Sequence, residues 1–180
     1  MAVWLNTFGK KEFFSLSDKR VHCENIVKNL RLDFEFLEGT FEEKKGEPVP
    51  HFEYDLTKWI LHTEANDTVW FEYPLYLYNS LKITLVHDFL QFIGPFDHFQ
   101  NYSLLASDKN LREGYTKMVR TIFKSFDVSQ AVYCSEWFFT NEENNYFYKD
   151  LEEQIAQYPQ NRVDSLENIQ DQEYYLEVFK

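Results

Sequence analysis

The chain has 180 residues, 44% of them hydrophobic and 19% aromatic, and 30 Asp and Glu against 18 Lys and Arg give a net charge of −12. So much apolar material supports one folded domain over the whole length and excludes an intrinsically disordered chain. The acid excess disfavours direct binding to nucleic acid or to an anionic membrane, because both require clustered Lys and Arg.

The N-terminal "MAVWLNTFGKKEFF" has no basic start followed by an apolar run, so it does not read as a signal peptide. No apolar stretch approaches the roughly 20 residues that span a bilayer, and the cytoplasm is the expected compartment. The two cysteines, Cys23 and Cys134, sit among apolar neighbours and read as buried thiols.

In "SLSDKRVHCENIVKNL" the residues Cys23, Ile26, Val27 and Leu30 fall at i, i+3, i+4 and i+7, which predicts a helix. "RLDFEFLEG" then alternates Leu32, Phe34 and Phe36 against Arg31, Asp33 and Glu35, predicting a strand that ends at Gly39. Polar residues with Gly46, Pro48 and Pro50 mark a loop near 40–50. "HFEYDLT" alternates again through Phe52, Tyr54 and Leu56. "DTVWFEYPLYLYNSLKITLVHDF" reads as two strands joined by a tight turn at Asn79-Ser80, with Val69, Phe71, Tyr73, Leu75 and Leu77 on one face. Pro74 places the first of these at an edge or a bulge.

The clearest helix is 111–126, with Leu111, Tyr115, Met118, Val119, Ile122, Phe123 and Phe126 on one stripe and a capping box from Asn110 and Glu113. "QAVYCSEWFF" follows as a strand. A helix capped by Thr140 and Glu143 runs to Pro159, with Tyr148, Leu151, Ile155 and Tyr158 as its apolar side. Leu166 and Ile169 begin a short helix, and Tyr175, Leu176, Val178 and Phe179 dock on the body as a last element. The order of elements predicts an α+β fold, with about three helices on a largely antiparallel sheet.

Two His-Asp neighbours, His87-Asp88 and Asp97-His98, raise the question of a metal centre. In the strand "KITLVHDF", His87 and Asp88 would point to opposite faces and could not share an ion. A metal-dependent hydrolase assembled from His51, His62, His87, Asp88 and His98 is therefore the alternative reading. No HExxH, nucleophile elbow or glycine-rich phosphate loop occurs, so no catalytic residue and no cofactor is assigned.

The leading reading is a protein-binding module. The acid is concentrated: residues 33–72 hold 11 Asp and Glu against 3 Lys, and residues 141–180 hold 10 against 3 Lys and Arg. Tyr76 and Tyr78, opposite the Leu75 and Leu77 face, and Tyr146 and Tyr148, beside the acids Glu142, Glu143, Glu152 and Glu153, are the expected contact residues. Aromatic anchors in an acidic field suit a basic protein partner, since charge speeds encounter and rings supply burial. In composition, small acidic inhibitors such as the immunity proteins that occlude toxin nucleases are similar, although no motif links this chain to them.

Overall fold

A computed structural model describes residues 5–11, 16–38, 51, 53–63, 68–75, 79–94, 105–135, 138 and 148–179. Within them lies one eight-stranded sheet: β1 (Leu5–Lys10), β2 (Ile60–Thr63), β3 (Val69–Pro74), β4 (Ser80–Val86), β5 (Phe89–Ile93), β6 (Gln130–Ser135), β7 (Arg162–Val163) and β8 (Tyr174–Val178). Its spatial order is β2-β3-β4-β5-β1-β6-β8-β7, antiparallel at every junction except β7–β8. Three longer helices accompany it: α1 (Leu16–Val27), α2 (Lys109–Ser125) and α3 (Tyr148–Gln157). The fold is α+β, as the sequence predicts.

Strand alternation sorts the side chains onto two faces. One face carries Leu5, Val69, Phe71, Ile83, Phe92 and Tyr133, all buried against α1, α2 and the 30–37 segment. The apolar stripe of α2 is the one predicted, and its six residues from Leu111 to Phe123 are buried along with Phe126. Full burial of one such side chain contributes roughly 1.5–3 kcal/mol. The helix begins earlier than predicted: Asp108, not Asn110, is the N-cap, and its carboxylate accepts from Leu111 N at 3.0 Å.

The second face is only half covered by the described helices. Phe8, Phe89, Val132, Cys134 and Tyr174 are buried there with Tyr148 and Leu151 of α3. Towards β2 the same face turns polar, with His62, Trp70, Glu72, Lys82 and Thr84 half-buried and Ile60 46% exposed.

Two predicted strands are not strands. Leu32 and Phe34 are buried in alternation, but residues 31–34 have no ladder partner, and Glu35–Leu37 form a 3-10 turn. Tyr54 and Leu56 likewise lie in irregular chain and a 3-10 turn, Leu56–Lys58. Rings hold these segments instead of ladders. Phe34 meets Tyr54 and Tyr73 edge-on at 5.2 and 5.1 Å, Trp59 Nε1 donates to Tyr54 Oη, and Asp55 N donates to Tyr73 Oη. Alternating burial arises in any extended chain lying on a core, so it did not distinguish these segments from strands.

The β3–β4 hairpin is as predicted, except that Asn79-Ser80 is not its turn. Ser80 already pairs with Pro74, and Leu75 N donates to Asn79 O, so Asn79 and Ser80 belong to the β4 side of the hairpin. Pro74 occupies the last rung of β3, past the point where β2 stops pairing at Ile60↔Glu72, which is how an inner strand tolerates it. The C-terminal segment docks as β8, after the short Leu166–Asn168 turn. The strands β1, β2 and β5 and the two-residue β7 are additional to those the sequence predicts. The predicted loop near 40–50 and the Thr140 and Glu143 cap lie outside the described residues.

Candidate functional site

The His87-Asp88 doublet is the two-residue turn between β4 and β5, closed by the pair Val86↔Phe89. This corrects the expectation that it continues a strand. His87 adopts a left-handed conformation (φ 48°), the geometry that tight hairpin turns demand. Asp88 Oδ1 accepts from Tyr148 N at 2.6 Å, and Asp88 O accepts from Lys11 N at 2.8 Å. The carboxylate thus caps the N-terminal end of α3 from a hairpin 60 residues away, where it satisfies a backbone donor and complements the helix dipole. The His-Asp pair has a structural role.

The remaining members of the alternative metal set are dispersed. His51 is exposed and pairs with Glu38. His62 lies on β2, its ring stacked on Trp70 at 3.7 Å and 7°, with Lys82 Nζ 5.3 Å from the Trp70 ring centre. His62 Nε2 is 3.5 Å from Glu72 Oε2, yet it is buried and makes no hydrogen bond, because the contact is too long to serve as one. It is an ion pair only when the ring is protonated. Among the described residues, no three His, Cys, Asp or Glu converge as a metal site would require; His98 lies outside them.

Neither thiol is placed for nucleophilic chemistry. Both are free and buried. Burial pushes the Cys23 thiol up to about 12 despite Lys19 and Lys11 nearby, and burial alone pushes Cys134 well above its ordinary range.

Of the proposed contact residues, Tyr148 is corrected. It is 2% exposed in the core beneath α3, and burial raises its phenol to about 12. Tyr76, Tyr78, Glu142, Glu143 and Tyr146 lie outside the described residues. Glu152 and Glu153 are exposed on α3, with Lys10 at 3.7 Å from the first and Lys149 at 3.5 Å from the second. The acid extends further than those two. Residues 148–179 hold eight Asp and Glu against Lys149 and Arg162, and Asp164, Glu167 and Asp171 are exposed around the β8–β7 end of the sheet.

One acid of this region points inward. Glu177 accepts from Tyr133 Oη at 2.7 Å and from Arg120 Nε at 2.6 Å, tying β8 to both β6 and α2. Burial, followed by the charge of Glu177, holds the Tyr133 phenol protonated well above its ordinary range. Strand period could have indicated this residue: Tyr175 and Glu177 share a face, and Glu177 lies opposite Ala131.

Comparison with known protein families, curated proteins and solved structures gave no match. No helix among the described residues is long and apolar enough to cross a membrane.

Proposed function

We propose that this protein is an acidic protein-binding module of the cytoplasm, an inhibitor or immunity-type protein that occludes a basic partner such as a toxin nuclease. The observation that supports this reading most directly is the acidic flank, a net charge of −6 over residues 148–179, of which Glu152, Glu153, Asp164, Glu167 and Asp171 are exposed around α3 and the β8–β7 end of the sheet. A field of one sign accelerates encounter with a partner of the other and repels wrong ones. The Lys10 and Lys149 contacts do not cancel it, because exposed ion pairs are worth about 0–1 kcal/mol and exchange readily with a partner's cations. In this role no residue performs chemistry; occlusion of a cationic site is the activity.

The test is affinity capture from native lysate followed by kinetics on whatever is captured. A single stoichiometric basic protein, released as salt rises, is expected. Its association should slow when Glu142, Glu143, Glu152 and Glu153 are reversed to Lys. A captured partner whose association rate ignores both salt and this reversal would remove the acidic flank from the mechanism.

A further inference from the structure

The 31–37 segment and α2 do not meet flush. Between them lies a cavity of about 370 Å³, inside the range of roughly 300–1,000 Å³ typical of small-molecule sites. Leu32 and Met118, both buried, and Gly114 form its floor, and the half-buried Phe36 forms a wall. Four exposed charges surround the mouth: Arg31 and Asp33 from the segment, Glu113 and Lys117 from the helix.

Lys117 Nζ lies 3.0 Å from Asp33 Oδ2 and links the two sides. This hydrogen bond is the main reason that the Asp33 carboxyl sits below the usual carboxylate range. Arg31 and Glu113 remain. Arg31 uses Nη1 to reach Leu30 O, leaving other guanidinium donors for a ligand. Among the described residues the Glu113 carboxylate pairs with Lys109 at 3.7 Å, an exposed i,i+4 contact that is weakly held.

In a chain of net charge −12, a charge-balanced mouth over an apolar floor is chemically distinct from the acidic flank. A cation alone would meet Arg31 and Lys117, and an anion alone would meet Asp33 and Glu113. A ligand with one charge of each sign and an apolar body suits all three surfaces. We infer that this cavity binds a hydrophobic α-amino acid as its zwitterion, the carboxylate towards Arg31, the ammonium towards Glu113 and the side chain on Leu32, Phe36 and Met118. The inference stands apart from the protein-binding reading and does not depend on it.

Titration of ¹⁵N-labelled protein with L-phenylalanine, phenylacetate and phenethylamine tests it by amide shifts. Saturable shifts centred on Leu32, Phe36, Gly114 and Met118 are expected, with phenylalanine binding at least about five-fold more tightly than either singly charged analogue, as one charge-assisted hydrogen bond would give. Arg31→Ala should weaken phenylalanine by a similar factor and, by removing a like charge, leave phenethylamine binding as tightly or more tightly. Thr121→Trp, a bulky change at a half-exposed helix position on the mouth, should abolish binding while the remainder of the spectrum keeps its dispersion. Absence of saturable shifts at these amides up to about 20 mM phenylalanine, weaker than any functional millimolar complex, overturns the inference. Equal affinity for either analogue overturns the assignment of Arg31 and Glu113.

Discussion

Gly114 lies within α2, where helix propensity alone makes alanine better by about 1 kcal/mol. The structure predicts the opposite outcome for Gly114→Ala. A Cβ built there would lie 2.1 Å from Phe36 Cγ, 2.4 Å from Phe36 Cβ and 2.6 Å from Phe36 Cδ2. The nearest atoms are at the root of the side chain, so a rotamer change cannot clear them, and the Glu35–Leu37 turn itself must lift. Overpacking of this kind costs about 1–3 kcal/mol. Lifting the turn also strains Leu37, which is 0% exposed, and exposing a Leu forfeits roughly 1.5–3 kcal/mol at the limit. Set against the propensity gain of about 1 kcal/mol, the variant should lose about 1–3 kcal/mol, with the turn's partial adjustment keeping the loss below the simple sum. Urea unfolding of the wild type, Gly114→Ala, Phe36→Gly and the double variant gives the coupling directly. Alanine at position 114 should be destabilising when Phe36 is present and stabilising by about 1 kcal/mol in the Phe36→Gly background. If Gly114→Ala raises the stability of the wild type by its propensity value, Phe36 does not pack on Gly114 and the described wall of the cavity is wrong.

Three further outcomes are expected. Asp88→Ala removes the cap on α3 and should cost about 1 kcal/mol, with the same shift in thermal midpoint in the presence and absence of a chelator; a chelator-dependent shift would revive the metal reading. Glu177→Ala leaves the buried Tyr133 hydroxyl without its acceptor and should cost about 1–3 kcal/mol in urea unfolding, whereas Glu177→Gln, which keeps an acceptor, should cost less; equal losses would show that charge alone is responsible. Burial raises the folded-state pKa of Cys23 from 9.0 and of Tyr148 from 10.0, each to about 12. The folded state holds these protons more tightly than the unfolded one, so their contribution is complete below pH 9 and is lost as pH rises towards 12. The urea midpoint should therefore fall progressively above about pH 9, and a midpoint that stays level to about pH 11 would contradict the burial of both groups.

The helices were legible because their signal is periodic over many residues. Cys23, Val27 and Leu30, and the stripe from Leu111 to Phe126, are buried as the spacing predicts. Alternation was less informative. It correctly located β3 and β4 but also occurred at Leu32-Phe34 and Tyr54-Leu56, where rings replace a ladder. The strand β5 has a continuous apolar start, "FL", and β1 contains Asn6, Thr7 and Gly9, so neither shows the expected two-residue period. Gly9 is informative only in three dimensions: a Cβ there would lie 2.4 Å from Val128 Cγ1, which is why the strand tolerates a residue with poor strand propensity. The role of Asp88 was illegible for a different reason. Its partner is a backbone N–H 60 residues later, and no local spacing encodes such a contact. The concentration of acid near the C-terminal end was visible in composition, whereas the inward turn of Glu177 is carried only by strand period, which places it on the Tyr175 face.

The position of β1 has a consequence for the order in which the molecule can be assembled. It lies mid-sheet, yet its neighbours come much later in the chain: Asn6 pairs with Ile93 on one side and with Cys134 on the other. As the chain emerges during synthesis, β2, β3, β4 and β5 can pair successively with their sequence neighbours, and α2 follows. The strand β1 must wait for residue 89 to gain one partner and for residue 130 to gain the second. Until then its backbone donors and acceptors, and Phe8 with them, remain open to wrong pairing. Non-local pairing of this kind slows folding because loop closure must precede any favourable contact. The whole stage before residue 130 is made is accordingly one in which a nascent chain carries an incompletely paired strand and is exposed to aggregation.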